Sequence, residues 1–272
     1  MATNAKRERT KRRVVIRSIA LPSEHGGWGF LIEPILLGLL VAFSWQGMLL
    51  SVAATGIFLI HQPLKIAVKD WRKGRRPPRL AWAERFVIGY VSLAVMPMLV
   101  LLLTTEPSFL LPVVLAIPLA GVQLYYDANN RSRQFLPEVC GAAALAMIAP
   151  AIALLSGWTF ELAIVLWIIL ATRAAAAILY VRSRIRLKIG KPTSPPIACL
   201  THIVALIVSV GLAAVDLAPW LTVLAFGVLL LRAVLGLSPY RKDHPIKVIG
   251  FQELGYGLMT VFVVTLGYGL NL

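Results

Sequence analysis

The chain has 272 residues, of which 58% are hydrophobic and 14% are charged. A soluble globular domain has a charged share of about a quarter, so this composition excludes an ordinary soluble domain and indicates several membrane crossings. A net charge of +15 would suggest nucleic acid as the partner of a soluble protein. Here the Lys and Arg residues stand in short segments between apolar runs, where they set membrane topology, and we expect no nucleic-acid partner.

Nine apolar runs follow a basic tail. They cover about residues 27–43, 46–63, 85–103, 108–126, 136–156, 159–180, 196–215, 218–237 and 248–269. Only helices suit these runs, because a chain in lipid must satisfy its own backbone hydrogen bonds and the runs are about twice as long as a barrel strand. We predict an all-α polytopic membrane bundle, with a cytoplasmic tail at 1–20 and a single transmembrane domain at 21–272. The prolines within the runs, Pro97, Pro112, Pro118 and Pro150, are expected to bend or unwind their helices.

Basic residues occupy every second connection between the runs. The tail and the segments after the second, fourth, sixth and eighth runs hold 25 of the 27 Lys and Arg residues. The charged residues of the alternate connections are all acids: Glu106, Glu161 and Asp216. By the positive-inside rule, the N-terminus is cytoplasmic and nine crossings place the C-terminus outside.

An internal repeat is predicted from three acids. Glu24, Glu138 and Glu253 are 114 and 115 residues apart, and each stands where the chain enters the membrane from the predicted cytoplasmic side. We interpret this spacing as two four-helix units of the same orientation followed by a ninth helix. The repeat pairs the basic segment at 61–79 with the basic segment at 180–192.

Charged residues within or beside the apolar runs indicate a functional site, because a charge at the bilayer centre costs at least about 2.5 to 3.5 kcal/mol. Glu33, Arg173 and Arg232 lie inside runs, and Glu138 and Glu253 lie in first turns. A structural alternative is that Glu138 and Glu253 offset the helix dipole and pair with Arg173 or a basic segment. In the same way, Arg232 could extend its long stem to the interface.

The basic segments admit three interpretations. They attract anionic lipid headgroups and set topology, they bind a phosphate or diphosphate with charge-assisted donors, or they bind nucleic acid, for which an aromatic platform beyond Trp71 and Trp82 is lacking. The phosphate donors would be Lys65, Arg72, Arg182, Arg184 and Arg186.

The histidines and cysteines do not indicate a metal site. His25, His61, His202 and His244 fall near predicted cytoplasmic helix ends, where they would line a cavity mouth or form interfacial hydrogen bonds, and no two share an i, i+4 spacing,. Cys140 and Cys199 are expected to be buried, inert thiols. We therefore predict no metal and no cofactor. The candidate inner-face site comprises Glu24, His25, His61, Lys65, Asp70, Arg72, Glu138, Arg173, Arg182, Arg184, Lys247 and Glu253, with Glu33 as an intramembrane acid.

Four stretches together resemble the YwiC-like family of bacterial integral membrane proteins. They are EHGGWGFLIEPILLG, HQPLKIAVKDWRKGRRPPR, LYVRSRIRLKIG and KVIGFQELGYGLMTV. The resemblance runs through nearly the whole chain after the tail. It implies a multi-pass protein of the bacterial cytoplasmic (inner) membrane, but it implies no activity.

The chain is more distantly similar to the UbiA-type intramembrane prenyltransferases. Those enzymes have nine helices and hold magnesium on an isoprenoid diphosphate with aspartate-rich motifs after helices 2 and 6. Here the first of these segments keeps only Asp70, and the second has no acid from Tyr180 to Pro192. Because magnesium requires oxygen ligands, the resemblance implies a similar fold without the two-cluster magnesium site.

Two classes of function remain open. In the first, cationic side chains bind a phosphorylated (isoprenoid) lipid at the cytoplasmic face, with Asp70, Asp127 or Glu24 as polar partners. Whether the protein also catalyses a reaction on this lipid stays open. In the second, the fold serves as a carrier of a small solute, motivated by Glu33 and Arg173 within the membrane, or as a non-catalytic scaffold.

Overall fold

The computed structural model describes residues 16–22, 25–74, 76–241 and 243–270. Within them we number ten helices in chain order. They are α1 (His25–Val41), α2 (Trp45–Arg72), α3 (Pro78–Thr104), α4 (Leu110–Ala128), α5 (Phe135–Ala146), α6 (Ile148–Leu155), α7 (Phe160–Lys188), α8 (Pro195–Ala214), α9 (Trp220–Leu237) and α10 (Ile246–Leu270), with a 3₁₀ turn at Pro107–Phe109 before α4. Most of the predicted tail, residues 1–15, lies outside the described residues.

Eight stretches of the described chain are helical, long and apolar enough to cross a membrane. Two of them join neighbouring elements: the 3₁₀ turn with α4, and α5 with α6. α1 is apolar but shorter. The predicted all-α polytopic membrane bundle is therefore confirmed, and each of the nine predicted runs is helical. The orientation and the four-plus-four repeat stay predictions.

The two basic segments, which the sequence places in connections between the apolar runs, are mostly helical. α2 continues to Arg72 and α7 to Lys188, each about two turns beyond the predicted end of its apolar run. Lys and Arg are good helix formers, and cations in a last turn interact favourably with the negative end of the helix dipole. The basic residues therefore extend two long helices beyond their apolar parts.

The prolines act unequally. The fifth run divides into α5 and α6 at Met147. Pro150 has no N–H to donate to the carbonyl of Ala146, four residues earlier, which explains the break at this point. Pro97 and Pro118, by contrast, lie inside the continuous helices α3 and α4.

The chain forms two compact units. The first contains the described residues up to 27 and residues 48–105. Its core contains Ile19, Ala67, Leu80 and Ala83. Gly56 of α2 brings the two long helices of this unit close together, since a Cβ at this position would lie 2.8 Å from the backbone nitrogen of Ala94 in α3.

The second unit contains residues 28–47 and the residues from 106 onward. α7 is its central helix and packs against α5, α6, α8, α9 and α10. One core cluster joins Tyr180, Ala198, Ala233 and Leu237, and another joins Ala142, Ala174 and Ile178. Many of these buried residues are small, which lets membrane helices approach closely. This close packing places charged side chains of several helices next to one another.

Candidate functional site

A buried charge cluster lies inside the second unit. We define it as Glu33 of α1, Arg173 of α7, His202 of α8, Arg232 of α9 and Glu253 of α10. Arg173 Nη1 donates to Glu33 Oε2, and Arg173 Nη2 donates to the backbone carbonyl of Glu253 over 3.3 Å. Only 3% of Arg173 and 4% of Glu33 are exposed. Water therefore contributes little to the solvation of this ion pair.

Arg232 joins Glu253 and His202 within the buried charge cluster. Its Nη1 donates to Glu253 Oε1, and its Nη2 lies 3.1 Å from His202 Nε2. His202 Nδ1 lies 2.8 Å from the carbonyl oxygen of Ala198. A carbonyl can only accept and a guanidinium can only donate. The contacts therefore favour a neutral His202 with its proton on Nδ1.

Two aromatic rings enclose the guanidinium of Arg232. Its central carbon lies 4.0 Å from the ring centroid of Tyr180 and 5.0 Å from that of Tyr256. Both distances are within the range of cation–π attraction. Arg232 is thus fixed by an ion pair, a histidine and two rings.

The cluster is electrically balanced but incompletely hydrogen-bonded. Its two arginines offset its two glutamates, so the five side chains carry no net charge with His202 neutral. Three buried atoms nevertheless have no hydrogen-bond partner among the described residues: Arg173 Nε, Arg232 Nε and Glu253 Oε2. A buried polar atom without a partner costs about 1–3 kcal/mol. The cluster therefore lowers the stability of the fold at these three atoms, and buried polar atoms without partners indicate a functional role.

A glycine allows α10 to approach the buried pair. A Cβ at Gly257 would lie 2.6 Å from Glu33 Cδ and 2.8 Å from Arg173 Nη2. No real side chain occupies such a position without displacing one of them. The Gly257 backbone therefore forms one wall of the cluster.

The structure corrects three sequence-based expectations at this site. Glu253 pairs with Arg232, whereas Arg173 pairs with Glu33. Arg232 is 8% exposed and does not extend to an interface, and His202 is buried rather than at a cavity mouth. The sequence contains no local signal for these partners, because the paired residues stand on different helices.

Two cavities lie on different faces of the last turns of α7. Cavity A has a volume of about 330 Å³, and cavity B has a volume of about 250 Å³. Residues four apart on a helix share a face, so Arg182 and Arg186 line cavity A while Arg184 and Lys188 line cavity B. The basic end of α7 therefore contributes two cations to each cavity.

The cations around the cavities also have protein partners. Arg182 Nη1 donates to Glu138 Oε2 at 2.8 Å and to the carbonyl of Arg133 at 3.0 Å. Of the two partners that the sequence left open for Glu138, Arg173 or a basic segment, the structure shows the basic segment. Arg184 Nη1 donates to the carbonyl of Gly236 at 2.7 Å.

The candidate residues of the first unit include a separate ion pair. Arg79 donates to both carboxylate oxygens of Asp70, at 2.8 and 2.6 Å, and joins the end of α2 to the start of α3. Lys65 and Arg72 are exposed, and His61 is partly buried. Asp70 therefore has a structural partner within its own unit.

Three residues of the candidate inner-face site remain, Lys247, Glu24 and His25. Lys247 is exposed in the first turn of α10, whereas Glu24 and the side chain of His25 lie outside the described residues. Among the described side chains, no three of the types His, Cys, Asp and Glu converge as metal ligands. Cys140 is buried, and Cys199 is partly buried.

A family comparison bears on the first half of the chain. The model of the YwiC-like protein family matches residues 21–153. The resemblance to the YwiC-like family is confirmed over these residues. The matched YwiC-like segment contains α1 to α5 and most of α6, and with them Glu33, Asp70 and Glu138. Arg173, Arg232, Glu253 and the lining of cavity B lie beyond it.

Other comparisons add no relative. Neither a curated protein nor a solved structure matches the chain. The resemblance of residues 179–190 and 247–261 to the same family, and the distant similarity to the UbiA-type prenyltransferases, stay predictions.

Proposed function

We propose that this multi-pass membrane protein binds a phosphorylated amphiphile, such as an isoprenoid phosphate or diphosphate, in cavity A at the cytoplasmic face of the bacterial inner membrane. The observation that supports the proposal is the divided lining of the cavity. Arg182, Arg186 and the hydroxyls of Ser183, Thr193 and Ser194 supply polar groups, while Phe135, Leu179, Ile197 and Ala198 supply apolar surface. A ligand with an anionic head and an apolar tail fits such a lining.

The charges around cavity A suit a phosphate group. A guanidinium presents several N–H donors in a planar fork that matches phosphate oxygens. The side chains of Arg182 and Glu138 are 28% and 34% exposed, and an ion pair this exposed costs little to break. Arg182 can therefore exchange Glu138 for a ligand oxygen.

The start of α8 adds to this anion preference. Ser194 is the N-cap of α8, and Pro195 and Pro196 follow it in the first turn. The positive end of the helix dipole stabilises a nearby anion, and a serine hydroxyl supplies a donor where the prolines have no N–H. No carboxylate is among the described residues that line cavity A. The proposal therefore concerns ligand binding, with arginines in place of metal-holding acids.

Binding of farnesyl phosphate, farnesyl diphosphate and farnesol to the purified protein in lipid nanodiscs tests this proposal. We expect both phosphorylated probes to bind more tightly than the alcohol, and Arg186→Gln to weaken their binding about tenfold, which corresponds to about 1.4 kcal/mol. Lys191→Gln is the matched control, since Lys191 is exposed and lines neither cavity. Equal affinity for the alcohol, or equal losses in both variants, would contradict the proposal.

A second candidate function is a carrier of a small solute, which the buried charge cluster favours. Charged residues inside membrane domains commonly mark the paths of ions and substrates. This cluster contains three buried polar atoms that have no hydrogen-bond partner among the described residues. Gly29 lies beside it, because a Cβ there would be 3.5 Å from Glu33 Oε1. The position can therefore report whether solvent reaches the cluster.

The carrier hypothesis is tested by thiol labelling of Gly29→Cys in a chain that also contains Cys140→Ser and Cys199→Ser. An impermeant thiol reagent is added to either side of oriented vesicles. A carrier exposes the cluster to each side in turn, so labelling from both sides is expected. Labelling from one side only, or none, would contradict transport through this cluster.

A further inference from the structure

Cavity B differs from cavity A in size and in chemistry. Its lining consists of Arg184, Leu187, Lys188, Pro239, Arg241, Asp243 and Ile249. Four of these seven side chains are charged. Its volume of about 250 Å³ is below the roughly 300–1,000 Å³ of pockets for drug-sized ligands. Cavity B therefore suits a small polar ligand better than a lipid.

The lining of cavity B has an excess of positive charge. Arg184, Lys188 and Arg241 contribute three cations, and Asp243 contributes one anion, which leaves a formal charge of two positive units. Lys188 Nζ lies 3.1 Å from Asp243 Oδ1 and 2.6 Å from the carbonyl of His244. Asp243 is largely exposed, so its ion pair with Lys188 is weak. An incoming anion can replace it at little cost.

Arg184 supplies the most buried cation of cavity B. Only 7% of this residue is exposed, and one of its terminal nitrogens is bound to the carbonyl of Gly236. A charge in such a low-dielectric position attracts an opposite charge more strongly than it would in water. Arg184 is also held in one orientation by its carbonyl contact, so a ligand loses little free energy in ordering it.

Two helices, α7 and α10, carry residues that line cavity B and residues at the buried charge cluster. Ile249 and Glu253 are one turn apart on α10, and Arg184 and Tyr180 are one turn apart on α7. Four residues of an α-helix span about 6 Å along its axis. Residues that line cavity B and residues of the buried charge cluster therefore stand on neighbouring turns of α10.

We propose that cavity B binds a small water-soluble oxyanion of the phosphate class, separately from any ligand of cavity A. Arg184 and Arg241 present guanidinium groups suited to tetrahedral oxyanions, and Lys188 adds a third cation. Ile249 lies in the first turn of α10, whose positive dipole end also favours an anion. This site goes beyond the proposed lipid binding because none of its lining residues belongs to cavity A.

Equilibrium binding of radiolabelled inorganic phosphate to the full-length protein in nanodiscs tests the site. We expect Arg241→Gln and Lys188→Gln each to weaken phosphate binding about tenfold, which corresponds to about 1.4 kcal/mol. Asp243→Asn should strengthen phosphate binding several-fold, because it removes the one anion of the lining. Lys191→Gln, a charge change outside both cavities, should leave the affinity unchanged. Arg184 is not substituted because it supports the end of α9 through Gly236. Thermal melting of each variant checks that the fold is retained.

Two further affinity measurements distinguish binding of a free anion from binding of a lipid headgroup. They also distinguish cavity B from cavity A. Phosphate affinity is also measured for Arg186→Gln, in cavity A, and farnesyl phosphate affinity for Arg241→Gln, which should leave it unchanged. Absence of phosphate binding would overturn the proposal, as would a loss confined to Arg186→Gln or a loss of equal size in Lys191→Gln. The lipid-binding proposal is independent of the phosphate results, since it is tested by the affinity of the protein for farnesyl phosphate.

Discussion

Replacing Arg173 with methionine should destabilise the protein by about 3–5 kcal/mol, the usual cost of leaving one member of a buried ion pair without its partner. The side chains of Arg173 and Glu33 are only 3% and 5% exposed, so solvent cannot compensate Glu33 after the substitution. The lost bond from Arg173 to the Glu253 carbonyl is long, at 3.3 Å. It should add no more than about 1 kcal/mol.

The double replacement Glu33→Met and Arg173→Met provides the decisive comparison. It removes both charges and fills the space with apolar side chains, so it should be at least about 2 kcal/mol more stable than the single Arg173→Met variant. The four members of this double-mutant cycle would be compared by reversible unfolding in mixed micelles, followed by far-UV circular dichroism. Arg131→Met is the control, because Arg131 is exposed and its loss should change stability by less than about 0.5 kcal/mol.

Two results would refute this reasoning. A loss below about 1 kcal/mol in Arg173→Met would mean that Glu33 is not left as an uncompensated buried charge. Additive losses in the double variant would mean that the two side chains do not interact energetically.

Two glycines provide further tests by circular dichroism in the same micelles. Gly257→Ala should lower the free energy of unfolding by about 1–3 kcal/mol through overpacking, because the added methyl group would displace Glu33 or Arg173. Gly255→Ala on the same helix is the control and should be tolerated, since a Cβ there meets nothing within 4 Å. Gly56→Ala should cost a similar amount, about 1–3 kcal/mol, since its methyl group would meet α3 backbone, while Gly89→Ala in α3 has open space around it. Equal stability within either pair would show that the close approach is absent in the folded protein.

The amino-acid sequence determined the membrane architecture. Long apolar runs need only their length and composition to predict spanning helices, because the bilayer leaves the backbone no other means of satisfying its hydrogen bonds. The same reasoning found Glu33 and Arg173 as unusual charges, since any charge within such a run is costly. For Glu138 it left open Arg173 or a basic segment as the partner, and the structure identifies Arg182 of the second basic segment.

Tertiary structure alone decided which charges meet. Arg232 lies 21 residues from Glu253 and 30 from His202, and no local pattern relates them. Their contacts depend on how α8, α9 and α10 pack and rotate about their axes, which periodicity does not specify. The extension of α7 through its basic turns had a further consequence. It placed alternate cations on different faces of one helix, so a segment that the sequence presents as a single basic stretch lines two separate cavities.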